Sequence, residues 1–375
     1  MPELVALDLA AGQGFVDALR AAWDAGDAVL PVDPRLPERA VHRLLEALRP
    51  ARIVDGDGTH LLAGGQPTET ADALVVPTSG TTGEPKGVVL TRDAVRASAR
   101  ATSARLGVDP ARDRWVACLP LAHVGGLSVV TRALETDTPC TVLERFDAAE
   151  VERLARSGAT LVSLVATALH RTDVSGYRSV LLGGAAPPGE LAPNVVATYG
   201  MTETGSGVVY GGHPLDGVDI RIGDGATGAL SEVLVRGAML LRCYRDGSDP
   251  RLPGGWLPTG DAGTIGADGT LAVIGRMAEV IVTGGEKVWP VPVEGVLADH
   301  PAIREVAVWK RPDPEWGERV VAWVVPHPDS APPDLSDLRE VVASRLAPWA
   351  APREVVVVDS LPRTSSGKVR RSDLT

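Results

Sequence analysis

The strongest constraint on this chain is the stretch Thr78-Ser79-Gly80-Thr81-Thr82-Gly83-Glu84-Pro85-Lys86-Gly87, which directly follows an apolar, strand-like run at 74–77. Its small residues let backbone N–H groups approach an anion closely, its hydroxyls can donate to phosphate oxygens, and Lys86 supplies a cation. A mobile Gly/Thr surface turn is the plain alternative, and it explains neither the density of hydroxyls nor the lysine at the end. The stretch is not a Walker A loop, which needs G-x-x-x-x-G-K-[ST], because Pro85 precedes Lys86 and Gly87 follows it. A kinase glycine-rich loop fails too, since no G-x-G-x-x-G precedes a lysine-bearing strand here.

A chain of 375 residues is expected to hold roughly 2.5 domains. Hydrophobic residues make up 44% and charged residues 23%, enough to bury a core. The 37 basic and 48 acidic residues give a formal charge of −11, which argues against nucleic-acid partners or anionic membranes. Cys118, Cys140 and Cys243 form no CxxC pair, so neither a disulfide framework nor a zinc site is expected, and a reducing compartment fits. The N-terminus MPELVALDLAAGQG lacks the basic and apolar blocks of a signal peptide, and the weakly polar run 159–169 is too short to cross a bilayer. The expectation is a soluble, cytoplasmic protein without stable membrane insertion.

Glycine and proline are spread as turn punctuation, and no repeat of 20 to 50 residues is visible. Residues 15–24 and 37–48 read as amphipathic helices, and Thr91 reads as the N-cap of a helix to about 105 with Asp93 in its first turn. Apolar runs at 115–119, 141–143, 161–165 and 179–182 alternate with helix-like stretches, the pattern of an α/β domain. Beyond 276 the texture changes to strands at 303–309, 320–325 and 354–358 with a helix at 336–346, a small α+β domain. The expected boundary lies near 275–280, giving an N-terminal domain 1–275 and a C-terminal domain 280–375.

The phosphate stretch resembles the signature of the adenylate-forming enzymes: acyl-CoA and aryl-CoA ligases, firefly luciferase and peptide synthetase adenylation domains. Further family motifs follow in order: Tyr199-Gly200-Met201-Thr202-Glu203-Thr204, Thr259-Gly260-Asp261, Gly275-Arg276, Gly284-Gly285-Glu286-Lys287 and Pro362-Arg363-Thr364-Ser365-Ser366-Gly367-Lys368. The segments 119–134, 162–171, 181–188 and 198–218 are similar to the o-succinylbenzoate:CoA ligases of menaquinone biosynthesis, most of all their short actinobacterial form with a reduced N-terminal subdomain. The resemblance implies a large layered adenylation domain, a hinge at 276–279 and a small, mobile C-terminal lid domain.

The implied chemistry has two steps. A carboxylate attacks the α-phosphate of ATP and expels pyrophosphate, then the thiol of coenzyme A displaces AMP. By resemblance, Thr78, Ser79, Gly80, Thr81, Thr82, Gly83 and Lys86 hold phosphates, Thr202 meets the α-phosphate, and Glu203 holds Mg²⁺. Gly183, Gly184, Ala185, Tyr199, Gly200 and Met201 frame the adenine, Asp261 takes the ribose hydroxyls with Arg276 beside it, and Lys368 is the catalytic lysine. Gly284, Gly285 and Lys287 face coenzyme A. His123, Arg132, Ser163, Thr167 and Gly205 line the acid pocket, with Arg132 suited to the second carboxylate of a dianionic acid. The family pattern is broken twice: Ala278 stands where a polar pivot is usual, and VATALH at 165–170 lacks the usual proline and glutamine. The partners implied are small molecules, with a homodimer allowed. The alternatives are another acyl- or aryl-CoA ligase, a stand-alone adenylation enzyme charging a carrier protein, or a catalytically silent nucleotide-binding protein.

Overall fold

A computed structural model of the chain describes residues 1–79, 85–185, 189–223, 230–363 and 369–374. The chain divides into two compact units, Met1–Ile220 with Val235–Leu257, and Arg221–Leu234 with Pro258–Thr375. The cut at 257/258 lies upstream of the 276–279 segment.

The first unit is built on two seven-stranded sheets. In the first, Leu4–Leu7 is an inner strand, with the middle strand Ala28–Pro31 and Arg52–Asp55 parallel on either side. Ala28–Pro31 and Leu4–Leu7 are buried at every position, as strands covered on both faces must be. Asp72–Ser79 pairs antiparallel with Pro85–Thr91, and Cys243–Tyr244 closes that edge. The second sheet carries the parallel strands Cys140–Val142, Trp115–Ala117, Leu161–Val165, Ser179–Gly183 and Val195–Met201, followed by an antiparallel edge.

Two helices lie between the sheets. Arg92–Leu106 packs on the first sheet, Val124–Glu135 on the second, and each on the other, which makes a sheet–helix–helix–sheet sandwich. Thr91 caps the first helix as expected, its Oγ1 accepting from the Ala94 N–H at 3.1 Å. The second can press against the preceding loop because Gly126 has no side chain: a Cβ there would lie 2.3 Å from the Leu119 carbonyl oxygen.

The second unit holds the hairpin formed by Leu257–Ile265 and Leu271–Arg276, and a five-stranded sheet with Gly317–Pro326 at its heart. Period-two alternation along that strand serves two cores. Val320, Ala322 and Val324 face the helices Pro290–Ala298 and Leu335–Ala343, while Val321, Trp323 and Val325 face Leu361 and Leu374. The small α+β texture expected after 276 is therefore present, and the strands run longer than the apolar runs that announced them, Ile303–Asp313 and Gly317–Pro326.

A buried carboxylate ties the second sheet of the first unit to its connections. Asp113 accepts from Arg178 Nε and Nη2 at 3.0 and 2.7 Å, from the Thr160 hydroxyl at 2.8 Å and from the Asp109 N–H at 2.9 Å. Burial pushes its carboxyl up, and the bonds from Arg178, Asp109 and Thr160 outweigh that and hold it below the ordinary value. The stabilisation is thus fully present above the unfolded carboxylate range and lost as pH falls through the lower native value. Arg178→Ala is expected to cost about 2–3 kcal/mol in urea unfolding at neutral pH, with less of that difference left in acid.

Candidate functional site

The hairpin of Asp72–Ser79 and Pro85–Thr91 sets Thr78 opposite Lys86 and Ser79 opposite Pro85, so the phosphate stretch leaves and re-enters the sheet at one point. Residues Gly80, Thr81, Thr82 and Gly83, together with Lys368, lie outside the described residues. Lys86 reaches back over the Tyr244 ring, 5.2 Å from its centroid. The Tyr244 hydroxyl donates to Glu203 Oε1 at 2.9 Å. Burial, and then the adjacent Glu203 carboxylate, pushes that phenol up from its ordinary value.

Glu203 sits in the 3₁₀ turn Thr202–Thr204 that ends the strand Val195–Met201. The turn is closed by Thr204, whose Oγ1 accepts from the Met201 N–H at 2.9 Å and lies 2.6 Å from the Ser206 carbonyl oxygen. Gly200 is required where the returning strand passes: a Cβ on it would lie 2.2 Å from the Ser206 carbonyl oxygen. Gly183 ends the neighbouring parallel strand, with Gly184 and Ala185 just beyond, and Tyr199, Gly200 and Met201 lie at the end of the next strand. Thr202, Glu203, Gly183 and Tyr199 therefore gather at the carboxyl ends of parallel strands, where open α/β sheets bind ligands. Glu203 is a buried hard oxygen donor, a single ligand of the kind a divalent cation takes, and no cluster of three or more His, Cys, Asp or Glu that could hold a metal ion is present among the described residues.

A small cavity of about 10 Å³, room for a single water, lies between the two middle helices, lined by Leu74, Leu90, Ala99, Leu127, Arg132 and Gly205 among others. Its walls are mostly apolar and one cation enters it. Arg132 is 2% exposed, stacks on the Trp115 ring at 4.9 Å and donates from Nη2 to the Ser206 hydroxyl at 3.2 Å. Its Nε and Nη1 have no hydrogen-bond partner, and no carboxylate among the described residues pairs with it. Burial pushes the guanidinium down from its ordinary value, yet a guanidinium in a protein keeps its proton. The arrangement awaits an anion.

His123, Ser163 and Thr167 are not among that cavity's lining residues. Ser163 lies half-buried in Leu161–Val165, and Thr167 is exposed on the short helix Ala166–Leu169. His123 occupies the N-cap position of Val124–Glu135, with Nε2 3.7 Å from Asp33 Oδ2. Asp33 is gripped by Arg35 at 2.8 and 2.6 Å, and those bonds hold its carboxyl below the usual range against the pull of burial. Sequence reasoning missed Asp33 and Tyr244.

In the second unit Asp261 lies opposite Arg276, and Arg276 Nε is 3.0 Å from Asp261 Oδ1. Arg276 Nη1 also donates to the Thr259 carbonyl at 3.2 Å. Gly284 and Gly285 form the turn between Ile281–Thr283 and Glu286–Val288, with φ of 61° and 87°, and Lys287 is exposed just after it.

Residues 64–245 match the AMP-binding enzyme family and 292–368 match the AMP-binding enzyme C-terminal domain. A Mycobacterium tuberculosis protein named "Probable 2-succinylbenzoate--CoA ligase" is 39% identical over 365 residues, 89% of this chain and 93% of that one. The chain belongs to the AMP-binding enzymes, among the 2-succinylbenzoate–CoA ligases. Among solved structures, o-succinylbenzoate CoA synthetase from Bacillus subtilis in complex with the acyl-adenylate intermediate OSB-AMP is 28% identical, with a TM-score of 0.88 over 100% of this chain and 88% of that one. The same B. subtilis enzyme in complex with ATP and magnesium ion gives 27% identity and a TM-score of 0.87, covering 99% of this chain and 89% of that one. The expected α/β fold with its small C-terminal domain is thus the family's fold. Among the described residues no helix is long and apolar enough to cross a membrane.

An unpaired buried guanidinium is a cost to the free protein, so Arg132→Met is expected to leave stability unchanged or raise it by up to about 2 kcal/mol in chemical unfolding. A clear loss would mean that the stacking on Trp115 and the Ser206 bond are what Arg132 is for.

Proposed function

We propose that the chain joins o-succinylbenzoate to coenzyme A at the expense of ATP, through an acyl-adenylate, releasing pyrophosphate and AMP, as a step of menaquinone biosynthesis. The observation that carries the choice of acid is Arg132. A monocarboxylic acid would leave its two free donors buried and unmet, whereas o-succinylbenzoate offers one carboxylate for activation and a second for the guanidinium. The cavity beside Arg132 has room for about one water molecule as it stands, so the acid's ring would enter only as the two helices part.

The roles are those the family resemblance implies for these positions. Lys86, with Thr78, Ser79, Gly80, Thr81, Thr82 and Gly83, holds the phosphates, and Thr202 meets the α-phosphate at its strand end. Magnesium, when bound, would supply positive charge against the phosphates, and Glu203 would be the residue to hold it. Gly183, Gly184 and Ala185 leave room for the base beside Tyr199, Gly200 and Met201. Asp261 takes the ribose hydroxyls and Arg276 steadies its carboxylate. Lys368 neutralises charge on the carboxylate and α-phosphate as the first bond forms, and His123, with Asp33 behind it, borders the path of the acid, which Ser163, Thr167 and Gly205 help to shape. Gly284, Gly285 and Lys287 serve coenzyme A after the C-terminal domain, 280–375, turns about 276–279. The cytoplasm supplies ATP and coenzyme A and keeps Cys118, Cys140 and Cys243 reduced. A homodimer is the assembly to test by sedimentation.

The deciding experiment is mass spectrometry of products from Mg-ATP, coenzyme A and a panel of o-succinylbenzoate, benzoate, succinate and octanoate. o-Succinylbenzoyl-CoA is expected alone. Another dominant thioester would overturn the choice of acid, and an acyl-adenylate without thioester would replace coenzyme A by a carrier protein. Arg132→Met is expected to lower kcat/KM for o-succinylbenzoate by about 100-fold, the worth of a charged hydrogen-bond pair. Lys368→Ala should abolish ATP–pyrophosphate exchange while thioester formation from supplied acyl-adenylate persists; equal loss of both would make the lysine structural.

A further inference from the structure

Opposite charges on either side of a phosphate site face a hazard: a lysine and a carboxylate near each other can form an ion pair and leave neither free for ligand. The structure shows a device against this. The backbone around Tyr244 is fixed on two sides, with Leu241 N–H donating to the Glu203 carbonyl at 2.8 Å and Arg245 N–H donating to the Gly87 carbonyl at 2.7 Å. Tyr244 itself pairs with Val88 in the phosphate hairpin. A turn returning from Ser248 holds its own N–H at 2.8 Å. The ring is thus fixed between the strand that carries Lys86 and the turn that carries Glu203.

We infer that Tyr244 is a positioning residue that keeps Lys86 and Glu203 apart and separately ready, the lysine for phosphate oxygens and the carboxylate for the divalent cation. Lys86 rests over the ring face, an attraction that neutralises no charge, and the carboxylate that feels its charge is Asp246, itself held by Ser248. Glu203 accepts one hydrogen bond from a neutral hydroxyl, which fixes the carboxylate's orientation while its charge stays whole. A direct Lys86–Glu203 pair would cancel both. The inference rests on the ligase reading, since it takes Glu203 as the metal residue and Lys86 as the phosphate cation.

Calorimetric titration of ATP, in the absence of any acid so that no turnover occurs, is run with Mg²⁺ and again with EDTA. Wild type is expected to bind ATP more tightly with Mg²⁺ than with EDTA. Tyr244→Phe keeps the ring and loses the hydroxyl, so its affinity in EDTA should be unchanged while its affinity in Mg²⁺ falls about tenfold. Tyr244→Leu loses the ring as well and should weaken ATP in both conditions. Placed on Glu203→Gln, Tyr244→Phe should have no further effect in Mg²⁺. Tyr244→Phe binding Mg-ATP like wild type, or losing affinity equally with Mg²⁺ and EDTA, would overturn the inference and leave the ligase reading standing. A wild type with no Mg²⁺-dependent gain would overturn that reading, and the inference with it.

Discussion

A guanidinium cannot shed its charge in a protein interior, so a buried one must find an anion or impose its cost on the fold. Arg132 is placed where only part of that demand is met: a ring beneath it, one serine hydroxyl, and two donors left over. The helix that carries it lies between two sheets, and the glycine at 126 lets that helix sit close against its own entry loop. The sandwich therefore does more than bury apolar surface. It brings a charge into an apolar interior, where two of its donors stay unmet.

The phosphate side follows the opposite rule. There the charges lie near the ends of strands and at a hairpin neck, and each is given a neutral or weak partner. Tyr244 touches both Lys86 and Glu203. Where Arg132 keeps two donors unmet, Glu203 accepts from a neutral hydroxyl and Lys86 rests over the same ring. Both arrangements cost stability in the free chain, and the paired Asp113–Arg178 network elsewhere shows what a fully satisfied buried charge looks like in the same unit.

Much of this was legible in the sequence, and the residues that were not share a cause. The helix from Thr91, the strand at 161–165 and the strand-like runs after 300 announced themselves through capping residues and periodicity, which are local signals. The phosphate stretch and the Thr202–Thr204 turn were legible because their chemistry is packed into consecutive residues. Tyr244 meets Glu203 across 41 positions, and Asp33 meets His123 through a strand end and a helix N-cap far apart in the chain. Nothing in the immediate neighbourhood of a tyrosine or an aspartate tells which distant carboxylate or imidazole it will face. Likewise Arg132 was read as a cation for the substrate, while its unmet donors are visible only once the packing around Trp115 is known.

Residues Arg363 and Val369 bridge each other, and the Arg370 N–H donates to the Pro362 carbonyl at 2.8 Å, so the chain on either side of 364–368 is drawn together at a neck. Just beyond it Arg371 reaches Glu294 on the helix Pro290–Ala298 at 2.8 Å and Glu279 at 3.2 Å. Burial pushes the Glu294 carboxyl up, against the pull of Arg371 and the Val308 N–H. One arginine thus pins the neck both to a helix and to the 3₁₀ turn Met277–Glu279. Ala278 offers only a methyl group, and Glu279 is engaged by Arg371 inside the second unit. Glu279, Glu294 and the neck are thus tied together through Arg371 within the second unit.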